Sequence, residues 1–538
     1  MKNLSEKLID DLIKGGVDTF FGIQGGACAR LIENVVKYKG KFIPVLNEQS
    51  AGYYAHGYYM ATGKTAGLIF TTGPGLTNAV SGIAACYYDR VPLITLVGQV
   101  PKRLNLSKKT KTRMVGFQEV PHLDICEPIS DKTLKIANIL DYKNNSFELI
   151  KNLKSKVQVV EILDDVQRSR LSHNYSVKKK LNLKNKKELI IKKDILKTIH
   201  NSQKPIILIG AGFNNSKNID KLIQKIKKLN IKTACTWGGQ RLQKYFSKKE
   251  NFIGIFGNHN PGLANRSIND SDLIISLGCS LLQHQVGKNH DDFAPKAKLI
   301  YVNDDKFECK RARFQFGKRL QPIHTNVDNF INQISSLRRS LNNSVEFEKK
   351  SNEIYPVLFL KKFFKKLKKN SLIFSDAGAT LSWSYQAANN VEKCPSIFTS
   401  FNLHSMGYAN CASVGAAVEN KKEIFCIIGD GSVPMNSQEL SWLKKYKVKI
   451  IILDNKGYGI IRQTQRQFYK SNFIGSDFKN RKASMPSFDV KSILESFDIP
   501  LREVRNNKSD EKNISWLLNR KTSCALIVSI DYKHQVIT

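Results

Sequence analysis

Long hydrophobic runs are missing from this sequence. Its longest apolar stretches, residues 91–97 and 450–453, have the length of strands and fall far short of the roughly 20 residues that span a bilayer. We therefore expect no membrane-spanning segment and no membrane partner. Residues 1–14 carry leucine and isoleucine at helical spacing with acids between them, so they predict an amphipathic helix rather than an export signal. A cytoplasmic location is the resulting expectation.

Paired cysteines are also lacking. The ten cysteines are scattered singly, without a CxxC pair, and several lie in apolar or small-residue stretches, as Cys86, Cys235 and Cys426 do. Such positions suit small core residues in a reducing compartment and argue against a disulfide framework or a zinc site.

Acidic residues are few beside the basic ones: 46 Asp and Glu stand against 85 Lys and Arg, a formal net charge of +39. One interpretation is binding to nucleic acid or an anionic membrane, because clustered cations release counterions from phosphates. The other is a lysine-rich bias spread over solvated faces. The lysines are dispersed, the densest run (178–187) lies in an apparent linker, and no nucleic-acid-binding motif occurs. We therefore expect no nucleic-acid partner.

Short apolar strands alternate with helical patterns along the chain, which is typical of parallel sheets covered by helices. At roughly 100 to 200 residues per domain, the length predicts about three domains. The predicted fold class is α/β, with three doubly wound parallel-sheet domains. Polar stretches at 172–190 and 335–352 place the expected domains at 1–170, 190–335 and 353–538.

Eleven strands are predicted from apolar runs bounded by turn residues. They lie at 42–46, 67–71, 92–97 and 157–163 in the first block, 205–209, 273–277 and 298–302 in the second, and 372–374, 425–428, 449–453 and 525–530 in the third.

The strongest local motif joins two predicted strands of the third block. One strand ends before a Gly-Asp-Gly turn containing Asp430, a helix follows whose start is marked by Asn436 and Glu439 as a capping box, and the next strand ends at Asn455. Carboxyl ends of neighbouring parallel strands open onto one crevice, so Asp430 and Asn455 should face each other. Their oxygens, with a free backbone carbonyl, suit Mg²⁺, and the glycines let backbone N–H groups approach a diphosphate. A Gly-Asp-Gly triplet alone is more often an ordinary strand-to-helix turn than a ligand-binding site.

At this motif the sequence resembles the thiamine-diphosphate enzymes, whose diphosphate motif begins with GDG and ends in two asparagines. Asp454 stands at the first asparagine position. The resemblance implies thiamine diphosphate and Mg²⁺ as cofactors, and the three-domain decarboxylase and synthase fold of that family. The implied metal ligands are Asp430, Asn455 and the carbonyl of Gly457.

A second motif, residues 47–52, follows a predicted strand and contains Glu48. Alone, Glu48 could be a carboxylate that the helix macrodipole favours at a helix N-terminus. The segment resembles the family's catalytic-glutamate motif, and TTGPGLTN (71–78) and DRVPLITLVGQV (89–100) follow it in the family's order. The resemblance implies that Glu48 hydrogen-bonds N1′ of the aminopyrimidine and promotes the imino tautomer that removes the thiazolium C2 proton. Desolvation, which raises a carboxyl pKa, makes a protonated glutamate feasible there.

Two further segments of the third block complete the expected cofactor site. Met406 resembles the apolar residue that wedges between the two cofactor rings and brings the reacting groups together, although it could equally fill core space. Residues 375–378 resemble the loop that touches the diphosphate. The resemblance implies cofactor binding by Pro74, Asn78, Gly378, Met406, Gly407, Asp430, Gly431, Ser432, Asn455, Gly457, Tyr458 and Gly459.

The chain as a whole is similar to the acetolactate synthase large subunit. GFQE at 116–119 and GGA at 25–27 match segments of that family. The resemblance implies that Gln118 hydrogen-bonds the substrate, that Phe117 walls the pocket, and that Gly26 and Ala27 contact the substrate. Ordinary loop packing is the alternative for all four residues.

Three positions depart from the acetolactate synthase pattern. Thr464 stands where the family usually has a tryptophan, and His284 where it has an arginine that holds the acceptor's carboxylate; both are candidate substrate residues. Histidine cannot reproduce the bidentate arginine fork, so 2-oxobutyrate is not expected as the second substrate. FAD, a structural cofactor of true acetolactate synthases, is disfavoured because Ser280 replaces another arginine. KGYGIIRQTQ (456–465) resembles acetolactate-synthase-like proteins associated with surface-polysaccharide sugars.

The resemblance predicts decarboxylation of a 2-oxo acid, pyruvate foremost, and ligation of the two-carbon unit to an acceptor. The alternatives are a simple 2-oxo acid decarboxylase and acetyl transfer to a keto-sugar nucleotide. Each site should lie between the first block of one chain and the third block of another, because Glu48 and Asp430 must reach opposite ends of one cofactor. A homodimer or homotetramer is therefore expected. Residues 466–486 are a candidate lid.

Overall fold

Three six-stranded parallel sheets, each covered by helices, follow one another along the chain in the computed structural model. The structure describes residues 2–171, 190–216, 218–246, 251–260, 262–335, 354–389, 391, 394–469, 472–478, 484–505 and 507–537. The predicted α/β class with doubly wound parallel sheets is confirmed. The lysine run at 178–187, and nearly all of the linkers predicted at 172–190 and 335–352, lie outside the described residues.

The first sheet has the strand order β2-β1-β3-β4-β6-β5, and all of its paired strands are parallel. Its strands are β1 (Thr19–Gly22), β2 (Lys41–Pro44), β3 (Ala66–Phe70), β4 (Leu93–Gln99), β5 (Lys132–Ile136) and β6 (Val157–Leu163). Its helices are α1 (Leu4–Lys14), α2 (Ala29–Lys37), α3 (Glu48–Thr62), α4 (Pro74–Thr77), α5 (Val80–Tyr88), α6 (Ser107–Thr110), α7 (His122–Cys126), α8 (Ile139–Lys151) and α9 (Asp164–Gln167), with a 3₁₀ helix at Glu127–Ile129.

Helix α1 shows how the sequence dictates local structure. Asn3 and Glu6 form a reciprocal capping box at its start, and Leu8 and Leu12 are fully buried on one face. The amphipathic helix predicted for residues 1–14 is thus confirmed.

The central sheet has the strand order β12-β11-β10-β7-β8-β9, again with parallel pairing throughout. Its strands are β7 (Pro205–Ile209), β8 (Lys232–Cys235), β9 (Phe252–Ile255), β10 (Leu273–Leu277), β11 (Lys298–Asn303) and β12 (Leu320–His324). Its helices are α10 (Lys193–Asn201), α11 (Ile219–Lys228), α12 (Leu263–Asn269), α13 (Gln283–Val286), α14 (Lys306–Phe316) and α15 (Val327–Ile334), with 3₁₀ helices at Ala211–Asn215, Trp237–Tyr245, His290–Asp292 and Gly317–Arg319.

The third sheet repeats the topology of the first, with the order β14-β13-β15-β16-β18-β17. Its strands are β13 (Leu372–Ser375), β14 (Ser396–Phe398), β15 (Ile424–Gly429), β16 (Lys449–Asp454), β17 (Leu501–Val504) and β18 (Cys524–Ser529). Its helices are α16 (Tyr355–Lys366), α17 (Ala379–Asn389), α18 (Tyr408–Ala417), α19 (Gly459–Phe468), α20 (Val490–Ser496) and α21 (Asp510–Asn519), with 3₁₀ segments at Asp430–Lys444 and Asn507–Ser509.

Helices α3 and α18 join the first domain to the third. A Cβ atom added to Gly57 of α3 would lie 1.9 Å from the carbonyl oxygen of Ala412, and one added to Gly415 of α18 would lie 2.2 Å from that of Tyr54. Only glycine lets the two helix backbones approach this closely. The contact fixes the start of α3, where Glu48 lies, relative to the third domain.

The capping box predicted from Asn436 and Glu439 is wrong. The helical segment after the Gly-Asp-Gly turn does break at Asn436, where φ is −141° and ψ is 41°. However, the buried Glu439 carboxylate accepts hydrogen bonds from the backbone nitrogens of Leu46 and Asn47 in the first domain, at 2.9 and 3.2 Å. Contacts with residues 393 (Leu46) and 392 (Asn47) positions away in the sequence have replaced the local one.

All ten cysteines are buried, as expected of small core residues. Among the helices of the described residues, none combines the length and the apolar character needed to cross a membrane.

Candidate functional site

The third domain contains a cavity of ≈ 330 Å³ at the carboxyl ends of its strands. It opens between β13 and β15, where the strand order reverses, which is the place where doubly wound sheets bind ligands. The lining includes nearly all the cofactor residues predicted in this domain: Gly378, Met406, Asp430, Gly431, Ser432, Asn455, Gly457, Tyr458 and Gly459. Gly407, the remaining one, follows Met406 directly.

Three candidate metal-binding groups, a carboxylate, a side-chain amide and a backbone carbonyl, converge at one end of this cavity. One outer atom of the Asn455 side-chain amide lies 2.6 Å from the carbonyl oxygen of Gly457 and 3.3 Å from Oδ1 of Asp430, and an amide nitrogen at this position donates to both. Oxygens without a hydrogen between them repel at these distances, unless the amide turns its nitrogen inward or a cation binds among them. A carboxylate, an amide and a backbone carbonyl are ligands suited to Mg²⁺. The residues present therefore fit a magnesium ion.

Asp430 is held in place by the backbone that follows β16. The backbone nitrogens of Asn455 and Gly457 donate to its carboxylate at 3.3 and 2.9 Å. Burial and the nearby charge of Asp454 raise the pKa of Asp430 to about 7, against the effect of these donors. A bound divalent cation would supply the positive charge that this buried carboxylate lacks.

The loop after β16 depends on two structural features that sequence reasoning did not identify. Gly457 has φ 145°, a conformation that favours glycine, and the ring of Tyr458 packs where a Cβ on Gly431 would lie, 2.5 Å away. The buried guanidinium of Arg462 donates to the carbonyl of Asn455 at 2.8 Å and to Asp477 at 3.3 Å. Arg462 therefore fixes the backbone that presents the candidate metal ligands.

Asp376 holds the segment that carries Met406. Its buried carboxylate accepts from the backbone nitrogens of Gly407 at 3.1 Å and Ala409 at 2.8 Å. Burial raises the pKa of Asp376 to about 6, and these hydrogen bonds oppose the rise. Gly407 itself has φ 75°. The turn before α18 is therefore rigidly defined, and Met406 lines the cavity beside it.

The predicted residues of the first domain gather at the carboxyl edge of the first sheet. Glu48 opens α3 and is half-buried, and the side-chain nitrogen of Asn78 donates to its carboxylate at 3.1 Å. Pro74 opens α4, and Asn78 ends that helix. Gly26 and Ala27 follow β1, with Ala27 packed over Gly98 of β4.

Gln118 has a strained backbone. Its φ is 62°, a left-handed conformation that is uncommon outside glycine and often marks functional sites. The hydroxyl of Thr72 donates to its carbonyl at 2.7 Å. The neighbouring Phe117 is 82% exposed, whereas Glu119 is buried and accepts from the backbone nitrogens of Ser107, Val115 and Gly116. Glu119 thus shapes the loop that presents Phe117 and Gln118.

The predicted residues of the first domain lie apart from the third-domain cavity of the same chain. Of the described residues that line the third-domain cavity, none belongs to the first domain. Thr464 is not among the described lining residues either: its hydroxyl donates to the carbonyl of Ile460 within α19, at 3.1 Å. Glu48 therefore lies outside the third-domain cavity of its own chain.

An imidazole cluster, made of Trp237, His259, His284 and His404, borders the same cavity. The ring centroids of the three histidines lie 6.0–6.1 Å from that of Trp237, and the ring of Tyr385 stacks on the indole with its centroid at 5.0 Å. Trp237, His259 and His404 line the cavity, and His284 packs against them. Of the four, sequence reasoning singled out only His284. A second member of the cluster could have been found from the sequence, because His404 lies two residues before Met406.

A separate cleft lies at the carboxyl edge of the central sheet, between β7 and β10. Dinucleotides bind at this point in sheets with this strand order. Two adjoining cavities of ≈ 380 and ≈ 260 Å³ share Ala211 and Gly212, which follow β7. Ser280 lines the larger and Arg241 the smaller.

The two residues differ in what they offer a dinucleotide. Burial lowers the pKa of Arg241 to about 10, and the described part of the chain gives it no carboxylate partner. Ser280 offers only a hydroxyl and no charged fork for a diphosphate.

Three family models match the chain. They are the thiamine pyrophosphate enzyme N-terminal TPP binding domain at residues 2–124, the central domain at 193–334 and the C-terminal TPP binding domain at 376–528. Similar sequences include the acetolactate synthase large subunit of Pyropia yezoensis, 27% identical over 98% of this chain and 90% of its own length. The acetolactate synthase large subunit of Buchnera aphidicola subsp. Schizaphis graminum is 26% identical over 98% of this chain and 94% of its own length. That of Lactococcus lactis subsp. lactis is 26% identical over 94% of this chain and 88% of its own length.

Proposed function

Since the chain belongs to the family of thiamine pyrophosphate enzymes, we propose that it decarboxylates a 2-oxo acid, pyruvate foremost, and ligates the two-carbon unit to an acceptor. The observation that carries this proposal is the convergence of the Asp430 carboxylate, the Asn455 side-chain amide and the Gly457 carbonyl in a cavity that Met406 also lines. The similarity to acetolactate synthase large subunits over nearly the whole chain supports the carboligation step.

Asp430, Asn455 and the Gly457 carbonyl would hold Mg²⁺, and the backbone around Gly378 and Ser432 would face the diphosphate. When bound, thiamine diphosphate supplies the electron sink for decarboxylation. Met406, fixed through Asp376 and Gly407, would keep the two rings of the cofactor bent. The protein thereby contributes orientation, which can remove several kcal/mol of the barrier, roughly 7–11 in the best cases.

Glu48 would hydrogen-bond the aminopyrimidine ring through its carboxyl group. Its hydrogen bond from Asn78, 3.1 Å long, limits the orientations of the carboxyl group. Gln118 would hydrogen-bond the substrate from a backbone held in a strained conformation, and Phe117 would exclude water from the pocket. Gly26, Ala27 and Thr464 are proposed to lie near the substrate.

The active unit that we propose is a homodimer, or a homotetramer built from such dimers. The loop bearing Phe117 exposes three apolar side chains: Met114 at 51%, Val115 at 43% and Phe117 at 82%. Exposed apolar residues beside polar ones suit a contact with another chain. In this arrangement Glu48 of one copy enters the third-domain cavity of the other.

Two further expectations belong to the proposal. FAD is not a part of it, because Ser280 gives the central cleft no arginine at that position. A cytoplasmic location is supported by ten unpaired cysteine thiols, which persist in reducing compartments.

The test is product analysis by mass spectrometry. The purified chain, supplied with thiamine diphosphate, Mg²⁺ and pyruvate, should release CO₂ and form acetolactate or, with an added carbonyl compound, the corresponding hydroxyketone. Formation of acetaldehyde as the sole product would instead identify a simple decarboxylase. Failure to release CO₂ from pyruvate and from other 2-oxo acids would overturn the proposal. Asp498→Asn, which removes an exposed carboxylate, is the control for Asp430→Asn, which should abolish Mg²⁺-dependent cofactor binding.

A further inference from the structure

A fully buried histidine lies beside the loop that connects β3 to α4. His122 opens α7, and its Nε2 atom lies 3.0 Å from the backbone nitrogen of Gly73. A backbone N–H can only donate, so Nε2 accepts this hydrogen bond and the ring proton is carried by Nδ1. The fold therefore fixes the tautomer of His122.

The proton on Nδ1 faces a carboxylate. Glu161 of β6 is buried, and its Oε2 atom lies 3.0 Å from Nδ1 of His122 and 3.0 Å from the side-chain nitrogen of Gln99. Burial acts to raise the pKa of Glu161, but the hydrogen bond from His122 and the nearby charge of Lys135 outweigh it, so the pKa is lowered. The carboxylate is thus charged, and it orients the imidazole through the Nδ1–H group.

The hydrogen bond to Gly73 holds the loop against Gln118. Gly73 has φ 69°, and a Cβ atom added to it would lie 2.9 Å from Cβ of Gln118. The hydroxyl of Thr72 donates to the carbonyl of Gln118 at 2.7 Å. Gln118 itself has φ 62°, a conformation that persists only when the surroundings support it. A rotation of the peptide between Thr72 and Gly73 would therefore disturb both contacts of Gln118.

The same loop leads to Glu48. Pro74 opens α4 directly after Gly73, and Asn78 at the end of this helix donates to the Glu48 carboxylate at 3.1 Å. Helix α4 has only 4 residues, so the turn at Gly73 sets its direction. The peptide that His122 holds thus connects two residues of the proposed reaction, Gln118 and Glu48.

We propose that His122, oriented by Glu161, is a positioning residue that holds the Gly73 peptide and thereby keeps Gln118 in the conformation that binds the substrate. This inference rests on the proposed function, in which Gln118 hydrogen-bonds the substrate. His122 is buried beside the loop and acts through Gly73.

Two amide substitutions separate the two hydrogen bonds of the imidazole. His122→Gln places an amide oxygen as many bonds from Cβ as Nε2, so it can still accept from Gly73. His122→Asn places an amide nitrogen where Nδ1 lies, so it can still donate to Glu161 but cannot reach Gly73. A role confined to pairing with Glu161 would make the Asn variant the better substitute. The proposal requires the opposite ranking.

The first measurement is hydrogen exchange of the cofactor-free, full-length chain, read by mass spectrometry from peptides that cover residues 71–78. The amide of Gly73 should be protected in the wild-type chain, because it is buried and hydrogen-bonded. We expect its exchange to become about tenfold faster or more in His122→Asn, and less than about threefold faster in His122→Gln.

The second measurement is CO₂ release from pyruvate by the chain supplied with thiamine diphosphate and Mg²⁺. The value of kcat/KM should fall about tenfold or more in His122→Asn, whereas His122→Gln should keep at least about a third of the wild-type value. The Kd of the cofactor, measured by calorimetry, should stay within about threefold of the wild-type value in both variants, because the metal-binding and diphosphate groups lie in the third domain.

His200→Asn is the matched control, since it changes an exposed histidine of α10 and should leave exchange and turnover at their wild-type values. Equal effects of the two His122 substitutions, or the reversed ranking, would overturn the inference. Faster exchange at Gly73 without a loss of kcat/KM would also overturn it.

If His122→Asn does not fold, His122→Gln decides: retained protection and turnover support the inference, and loss of either contradicts it. A wild-type chain that releases no CO₂ from pyruvate or any other 2-oxo acid overturns the proposed function itself, and this inference with it.

Discussion

At the scale of single residues, the proposed proton transfer depends on Glu48. Glu48→Gln keeps the size of the side chain and its contact with Asn78 but replaces the carboxyl group with an amide that cannot exchange a proton. We expect the variant to bind thiamine diphosphate with Mg²⁺ and to lose roughly 10²- to 10⁴-fold in turnover, the usual contribution of general acid–base catalysis. Calorimetric cofactor titration and CO₂ release measure the two effects separately.

The control is Glu33→Gln, which removes an exposed carboxylate of α2 and should preserve both properties. Full turnover in Glu48→Gln would disprove the assignment of Glu48.

The buried imidazoles make the stability of the fold depend on pH. Burial, aided by the neighbouring His404 and opposed by Asp89, lowers the pKa of His284 from 6.5 to about 4, and burial also lowers the pKa of His259. Between about pH 4 and pH 6.5, the folded and unfolded pKa values of His284, the unfolded chain binds more protons than the folded chain. The free energy of unfolding should therefore be fully retained above about pH 6.5 and fall as the pH drops below it.

Urea denaturation at about pH 7.5 and about pH 5.5 measures this effect. The midpoint should be lower at the acidic pH, and His284→Asn should reduce the difference between the two midpoints. An unchanged difference would show that His284 does not contribute.

At the scale of secondary structure elements, the contact of α3 with α18 fixes the position of Glu48 relative to the third domain. Gly57→Ala would bring a methyl group against the backbone of Ala412, which cannot move without shifting α18. We expect a loss of about 1–3 kcal/mol in the free energy of unfolding, the usual cost of overpacking. Gly26→Ala serves as the stability control, because a Cβ there meets nothing within 4 Å.

Denaturation midpoints of the two variants give the comparison. Equal stability of Gly57→Ala and the wild-type chain would mean that the helices can separate without cost.

At the scale of the whole molecule, the separation of the two residue groups within one chain leads to a complementation test. Glu48→Gln and Asp430→Asn chains should each be inactive alone. In a mixed dimer, one site receives both substitutions and the other receives neither, so one site regains function. Random pairing of co-expressed chains should therefore recover roughly one quarter of wild-type turnover.

The recovered activity is read from CO₂ release by the co-purified chains, with each variant alone as the reference. No recovery in verified mixed dimers would place both residues in a site built from a single chain.

The sequence by itself determined the fold class and most of the central strands. Strands at 157–163, 205–209 and 273–277 were predicted with the boundaries that the structure shows, because each is an apolar run buried on both faces. The seven unpredicted strands are β1, β5, β8, β9, β12, β14 and β17, and five of these lie at sheet edges. Edge strands are partly solvated, so polar residues interrupt their pattern, as in β12 and β17.

The sequence also specified the candidate cofactor residues wherever they follow a strand directly, since local backbone geometry carries them to the sheet edge. Only the tertiary structure decided the rest. It assigned Glu439 to the start of α3 instead of a capping box, assembled the imidazole cluster from two domains, and left Glu48 outside the cavity of its own chain. These features depend on how the domains pack, and contacts between residues hundreds of positions apart leave no periodic or local signal in the sequence.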